Sequence, residues 1–223
     1  MGEIIEINDG IVELKTVSTA RRVRLQDFTE ALLQSSGIRT PILPQGVVFY
    51  ASKDYKKAYL IEREPVMAKV LYSHDRDSSK EYMVAFPWHY FLVLFENYAF
   101  DKCYFYFRNK RIMTVEDKFC IPPLPNLHSP DCDVCLGDFR YQVTAETPEK
   151  MTDLTNYFFA STFNTDLNQF FRDKIPKQIT LLKQNQEHCL DAWQRLGFGD
   201  VCSVEWFPYQ SLARCLDNVW GKE

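Results

Sequence analysis

The stretch from residue 120 to 137 constrains the fold more than any other part of the chain. It reads Cys-Ile-Pro-Pro-Leu-Pro-Asn-Leu-His-Ser-Pro-Asp-Cys-Asp-Val-Cys-Leu-Gly. Four of the chain's eleven prolines fall in it. Each fixes φ and removes a backbone donor, so neither a helix nor an inner strand can run through. Strand-like aromatic sequence comes before it and helix-like sequence after it. The expectation is a rigid, irregular loop on a packed scaffold, where chemistry is usually carried.

The scaffold before the loop reads as strands over 46–52, 57–62, 66–73, 81–86, 88–97 and 102–108. Their turns carry Asp, Ser, Asn, Lys and Pro, with no helical stretch between them. Such close spacing predicts an antiparallel meander. The polar run 75–80 predicts an exposed hairpin tip. Rings crowd the last two strands, among them Phe86, Tyr90, Phe91, Tyr104, Phe105 and Tyr106. An aromatic sheet can stack single-stranded bases. Aromatics also favour strands and fill cores, and here both faces can be covered, so the core reading is preferred. The net charge, 26 − 30 = −4, gives no basic footprint, so no nucleic-acid partner is expected.

Alternation over 3–7 and 11–18 predicts a hairpin around Asn8-Asp9-Gly10. Arg21, Arg22 and Arg24 read as a solvated turn. Leu25, Phe28 and Leu32 mark a short helix ending near Gly37, and Thr40–Pro44 a connector. Beyond the loop, Thr147-Pro148 reads as an N-cap and first-turn proline. Met151, Leu154 and Phe158 continue at helical spacing. A longer stripe runs Ile179, Leu182, Gln186, Cys189, Trp193, Leu196 to Gly197, and a last one runs Phe207, Leu212, Cys215, Leu216, Val219. The plan is α+β: an antiparallel β-meander, an irregular Pro-rich loop, then C-terminal helices. It predicts one domain over 1–223, with an N-terminal hairpin and helix extension (1–45) and a C-terminal helical extension (175–223). The longest apolar run, Phe91-Leu92-Val93-Leu94-Phe95, is too short to span a membrane. The charged, alternating start offers no signal-peptide core. An odd seven cysteines without such a signal predict reduced thiols in the cytoplasm.

Three readings of the loop compete. In the first, Cys135 is a nucleophile that carries a thioester, and the Asn126 carboxamide steadies the oxyanion formed when an amine attacks. Asp133 or Asp138 would orient or deprotonate the incoming group, with turn residues as the plainer reading. Cys132 is a second candidate nucleophile, or a resolving thiol. In the second, Cys120, His128, Cys132 and Cys135 hold a structural zinc, because Cys132-x-x-Cys135 is half of a zinc knuckle. A redox dithiol lacks the βαβ setting such sites use. In the third, the prolines brace a crossing and Cys135 is buried. Cys189, Cys202 and Cys215 read as buried apolar residues.

The order of sheet, Pro-Pro-x-Pro-Asn, cysteine-Leu and helices resembles ubiquitin-conjugating enzymes. There a His-Pro-Asn tripeptide precedes the catalytic cysteine, which is followed by Leu. Pro125-Asn126 match the tripeptide's last two members, and Cys135-Leu136 match the cysteine site nine residues after the asparagine. Leu124 stands where the histidine would be. Pro122-Pro123-Leu124-Pro125-Asn126-Leu127-His128 and Val134-Cys135-Leu136-Gly137 resemble more specifically a bacterial branch, the prokaryotic ubiquitin-conjugating family D. Its best-known group is that of the PRTRC system protein B, and the branch lacks the histidine. Phe158-Phe159-Ala160-Ser161-Thr162-Phe163 resembles a Phe-Phe-x-Ser-x-Phe feature of this group. The likeness runs over 120–163 and, more loosely, the strands before it. It implies a ubiquitin-conjugating-like fold without a cofactor and a nucleophile at Cys135 that accepts the C-terminus of a ubiquitin-like protein. It also implies a ThiF-type activating enzyme and a JAB-type isopeptidase as partners. The competing class is a non-catalytic binding module, with the zinc site or with an inactive conjugating-like fold.

Overall fold

The computed structural model describes the backbone of 4–8, 11–15 and 20–24. It also describes residues 43–220 except 44, 54, 74–77, 143–146, 165, 168–172 and 185–187; side chains are described from 43 onward, apart from 140–142. The chain divides into two compact units, 1–42 and 43–223, so the N-terminal part is a unit rather than an extension. Among the described residues no helix is long and apolar enough to cross a membrane.

The first unit holds an antiparallel sheet of β1 (Ile4–Asn8), β2 (Ile11–Lys15) and β3 (Ala20–Arg24). Asn8 faces Ile11, which leaves Asp9-Gly10 as the connecting pair. The arginine cluster is not a turn. Arg22 pairs with Glu13 and Arg21 with Leu14 in the β2–β3 ladder. The helix expected from Leu25 and most of the connector lie outside the described residues.

In the second unit the expected strands all form: β4 (Val47–Lys53), β5 (Lys56–Arg63), β6 (Val66–Ser73), β7 (Ser79–Phe86), β8 (Trp88–Glu96) and β9 (Ala99–Arg108). They are not one meander. β5 pairs with β8, and β6–β7 leaves as a hairpin of a second sheet, where β13 (Thr162–Phe163) lies parallel to β6. Pro65 and Pro87 stand at the two points where the chain departs and returns. Neither can donate to a ladder, so the main sheet closes from Arg63 directly onto His89. The tip is exposed at Ser78 to Lys80, and 74–77 lie outside the described residues.

The main sheet is covered on both faces, and the residue types sort by face. Odd positions of β9, Phe105 and Phe107, meet Phe158 and Phe86. Even positions carry tyrosines; Tyr106 stacks on Phe119 and Tyr209. Phenylalanine suits the dry layer, whereas buried tyrosine needs a polar outlet. Tyr90 finds one by donating to Glu62 Oε2 at 2.9 Å, and Tyr106 by donating to the Asp131 carbonyl at 3.2 Å.

Helix α1 (Pro148–Ala160) starts as expected, with Thr147 Oγ1 accepting from Lys150 N at 3.3 Å. Its stripe Met151, Leu154, Phe158 is buried. The longer stripe is broken into α2 (Lys177–Leu182) and α3 (Cys189–Trp193). Lys183 and His188 both take extended backbone at the break. Then come α4 (Phe198–Val201), β14 (Phe207–Ser211) and α5 (Leu212–Trp220). Phe207 is therefore on a strand, paired with Ile121 of β10 (Lys118–Ile121). The 175–223 segment is not an appendage. Trp193 is fully buried, donates Nε1 to the Ala85 carbonyl at 3.0 Å, and lies 6.1 Å from the Phe107 ring.

Candidate functional site

The proline run does not project into solvent. Residues 121–127 are all buried, Leu124 completely. Asn126 then turns the chain with φ at 65°, a left-handed conformation that asparagine tolerates better than most residues. A small hairpin follows, β11 (Leu127–His128) on β12 (Asp133–Val134), and Asp133 of β12 pairs with Tyr104 of β9.

Backbone bonds fix this hairpin. Cys132 N–H donates to the His128 carbonyl at 3.0 Å, and Phe105 N–H to the Cys132 carbonyl at 3.0 Å. Cys135 N–H donates to the Asn126 carbonyl at 2.8 Å, which brings the two predicted site residues together. The Asn126 side chain is held by the segment that follows α1. Its Nδ2 donates to the Thr162 carbonyl at 3.1 Å, and its Oδ1 accepts from Asn164 N–H at 3.4 Å. One of the two Nδ2 hydrogens is thus committed to Thr162. The Phe158–Phe163 segment supplies that anchor. It ends α1 with Ser161 N–H on the Tyr157 carbonyl at 2.8 Å and buries Phe163 in the core.

Cys135 is half-buried between buried Val134 and Leu136. After it Gly137, at φ 48°, opens a 3-10 helix (Gly137–Gln142). Phe139 of that turn stacks on Tyr157 of α1, centroids 4.1 Å apart and 8° from parallel. Cys135 faces two clefts of about 230 Å³ each. One is lined by Asn126, Tyr157, Ser161 and Asn164. The other is lined by Asp101, Lys102, His128 and Asp133. Burial pushes the Asp133 carboxyl above its usual range, although Lys102, His128 and the Cys103 N–H pull the other way. A carboxylate raised in this way is a better proton acceptor than an exposed one. Asp138 is exposed.

Cys132 is placed quite differently. It is fully buried at φ 68°, and burial holds its thiol far above the usual range. It therefore presents neither access nor thiolate, the two requirements of a nucleophile. Nor do the four zinc candidates converge. Cys120 sits in the β10 ladder opposite Phe107 and Pro208, His128 is exposed, Cys132 points into the core and Cys135 lines the clefts. Among the described residues no group of three or more His, Cys, Asp or Glu side chains could hold a metal ion. The two cysteines of the Cys-x-x-Cys pair diverge because the left-handed turn at Cys132 sends its side chain inward.

Thr162 and Asn164, which hold Asn126, and Lys102, which acts on Asp133, were not singled out from the sequence. Thr162 and Asn164 act through backbone atoms, and Lys102 is one exposed lysine among many. No family model matches the chain, and neither a curated protein nor a solved structure matches it.

Proposed function

We propose that the chain is an acyl transferase of the ubiquitin-conjugating kind, with the family D branch as its nearest likeness and the cytoplasm as its setting. The observation that carries the reading is the 2.8 Å backbone bond from Cys135 N–H to the Asn126 carbonyl, with half-buried Cys135 and Asn126 lining one cleft. In the first step the Cys135 sulfur attacks the thioester carbonyl of a ubiquitin-like protein held on a ThiF-type activating enzyme. The C–S bond to that enzyme breaks, and its thiol leaves with the proton. In the second step an acceptor amine attacks the new thioester, the Cys135 sulfur leaves, and Asp133 takes the amine's proton. The uncommitted Nδ2 hydrogen of Asn126 is the donor offered to the oxyanion. The Thr162 and Asn164 contacts hold that carboxamide in place before substrate arrives. A JAB-type isopeptidase would reverse the modification.

The test mixes the protein with ATP, a ThiF-type activating enzyme and a ubiquitin-like modifier. A DTT-sensitive adduct is expected, absent from Cys135→Ala. An adduct that survives Cys135→Ala defeats the assignment. Failure of the wild type to load supports the non-catalytic reading of the same fold. Asp133→Asn is expected to load normally but to discharge to amine about 10²-fold more slowly, the usual size of a general-base contribution.

A further inference from the structure

A cleft of about 350 Å³ in the second unit does not contain Cys135. Its floor is the tyrosine face of β9, Tyr104 and Tyr106. Tyr209 of β14 and Asn218 of α5 form one wall, and the Pro130–Asp131 turn the other. Lys102 stands on the rim it shares with the acidic cleft beside Cys135. The proposed acyl transfer uses none of the tyrosines, so they need an account of their own.

The rings are nearly parallel. Tyr104 and Tyr106 lie 12° apart in plane, and Tyr106 and Tyr209 lie 22° apart. This gives the cleft a flat, layered lining. The hydroxyl of Tyr106 is used, donating to the Asp131 carbonyl. Those of Tyr104 and Tyr209 have no hydrogen-bond partner among the described residues, although Tyr104 is only 8% exposed. With the Asp131 carboxylate they make a set of oxygen acceptors around one space. Three carboxylates, Asp101, Asp131 and Asp133, act on the Tyr104 hydroxyl, with Lys102 in the same lining. Burial first, and then Asp133, Asp131 and Asp101, hold the Tyr104 hydroxyl above its usual range, and burial with Asp131 among its neighbours does the same at Tyr209. An anion would meet those carboxylates unfavourably, with Lys102 as its only cation in the lining.

We propose that this cleft binds a guanidinium group, the arginine side chain of a partner polypeptide. The group is planar, so it can lie along stacked rings. It is weakly hydrated, and it carries five donors and no acceptor, the complement of two phenol oxygens and a carboxylate. A Lys ammonium satisfies the charge but neither the plane nor the number of acceptors. The site does not depend on the chemistry assigned to Cys135, and it would hold in a binding module equally well.

Calorimetric titration of the full chain with N-acetyl-arginine methylamide tests it, with ring-resonance shifts assigning the site. Saturable binding is expected, shifting the signals of Tyr104 and Tyr209. The citrulline counterpart, equally planar but uncharged, is expected to bind at least tenfold more weakly. Asp131→Asn, close to isosteric, should also weaken binding about tenfold. Tyr209→Phe, which keeps the ring stack, should weaken it severalfold. The proposal is overturned if the arginine compound does not saturate, if citrulline binds as well, if Asp131→Asn binds unchanged, or if inorganic phosphate binds there instead. Unaltered far-UV and near-UV spectra of the two variants separate these outcomes from misfolding.

Discussion

Between the main sheet and α1 the contacts are rings. Phe158 lies 4.6 Å from Phe105, 5.3 Å from Phe163 and 5.7 Å from Phe91 by centroid, and all four are buried. In the loop at 120–137 the defining contacts are instead directional: Cys135 to Asn126, Cys132 to His128, Phe105 to Cys132 and Asn126 to Thr162. Burial is non-directional and tolerates small shifts, so the ring layer supplies stability. Hydrogen bonds at left-handed residues contribute less each but fix orientation, so the loop supplies placement. The contrast separates two neighbouring cysteines: the same turn hides Cys132 in the core and leaves Cys135 at the clefts.

The largest effect should come from the ring layer. Phe158→Ala is expected to cost about 3–5 kcal/mol, the range for a buried Phe truncation. A lower urea midpoint with an unchanged slope would show it. A loss below about 1 kcal/mol would mean that the layer is not the source of stability. His89 gives the next test from inside the same layer. It is 1% exposed, donates from Nδ1 to the Pro87 carbonyl at 2.9 Å, and lies within 5.8 Å of both Phe86 and Phe105. Burial lowers its pKa from 6.5 to about 4, so the folded state holds it neutral. Above pH 6.5 both states are neutral there and stability is complete. As pH falls towards 4 the unfolded chain takes up a proton that the folded chain refuses. About 3 kcal/mol is lost across that window and no more below it. Unfolding curves at pH 7.5 and 4.5 should show this slope, and His89→Leu should remove it. An equal slope in the variant would place the titration elsewhere.

The two regions were also unequally legible in the sequence. The strands were readable because short aromatic-rich runs are separated by turn residues with no helical stretch between them. What that spacing could not say was which strand pairs with which. The β6–β7 excursion is signalled only by Pro65 and Pro87, single residues whose effect depends on where the sheet closes. In the loop, the prolines predicted rigidity, and the resemblance paired Asn126 with Cys135. The inward turn at Cys132 was not legible, since a Cys-x-x-Cys pair reads alike whether its sulfurs converge or diverge. Nor was the anchoring of Asn126, which uses a backbone carbonyl 36 residues away in sequence.

That anchor gives the smallest stability effect and the sharpest placement effect. Asn126→Ala removes the donor to Thr162 and leaves Asn164 N–H without its side-chain acceptor. It also puts a residue with no local compensation at φ 65°. The summed cost is about 2 kcal/mol, half from the lost bonds and half from the backbone. Asn126→Gly separates the halves, because glycine accepts that φ and should recover about 1 kcal/mol. Thiol labelling then reads placement directly. In the wild type Cys135 should react with a maleimide well ahead of Cys132. In both variants the Cys132 rate should rise towards that of Cys135 as the turn loosens, while the Phe158 layer stays folded. If Cys132 remains as protected in Asn126→Gly as in the wild type, the carboxamide is not what holds the turn, and the prolines alone suffice to place Cys135.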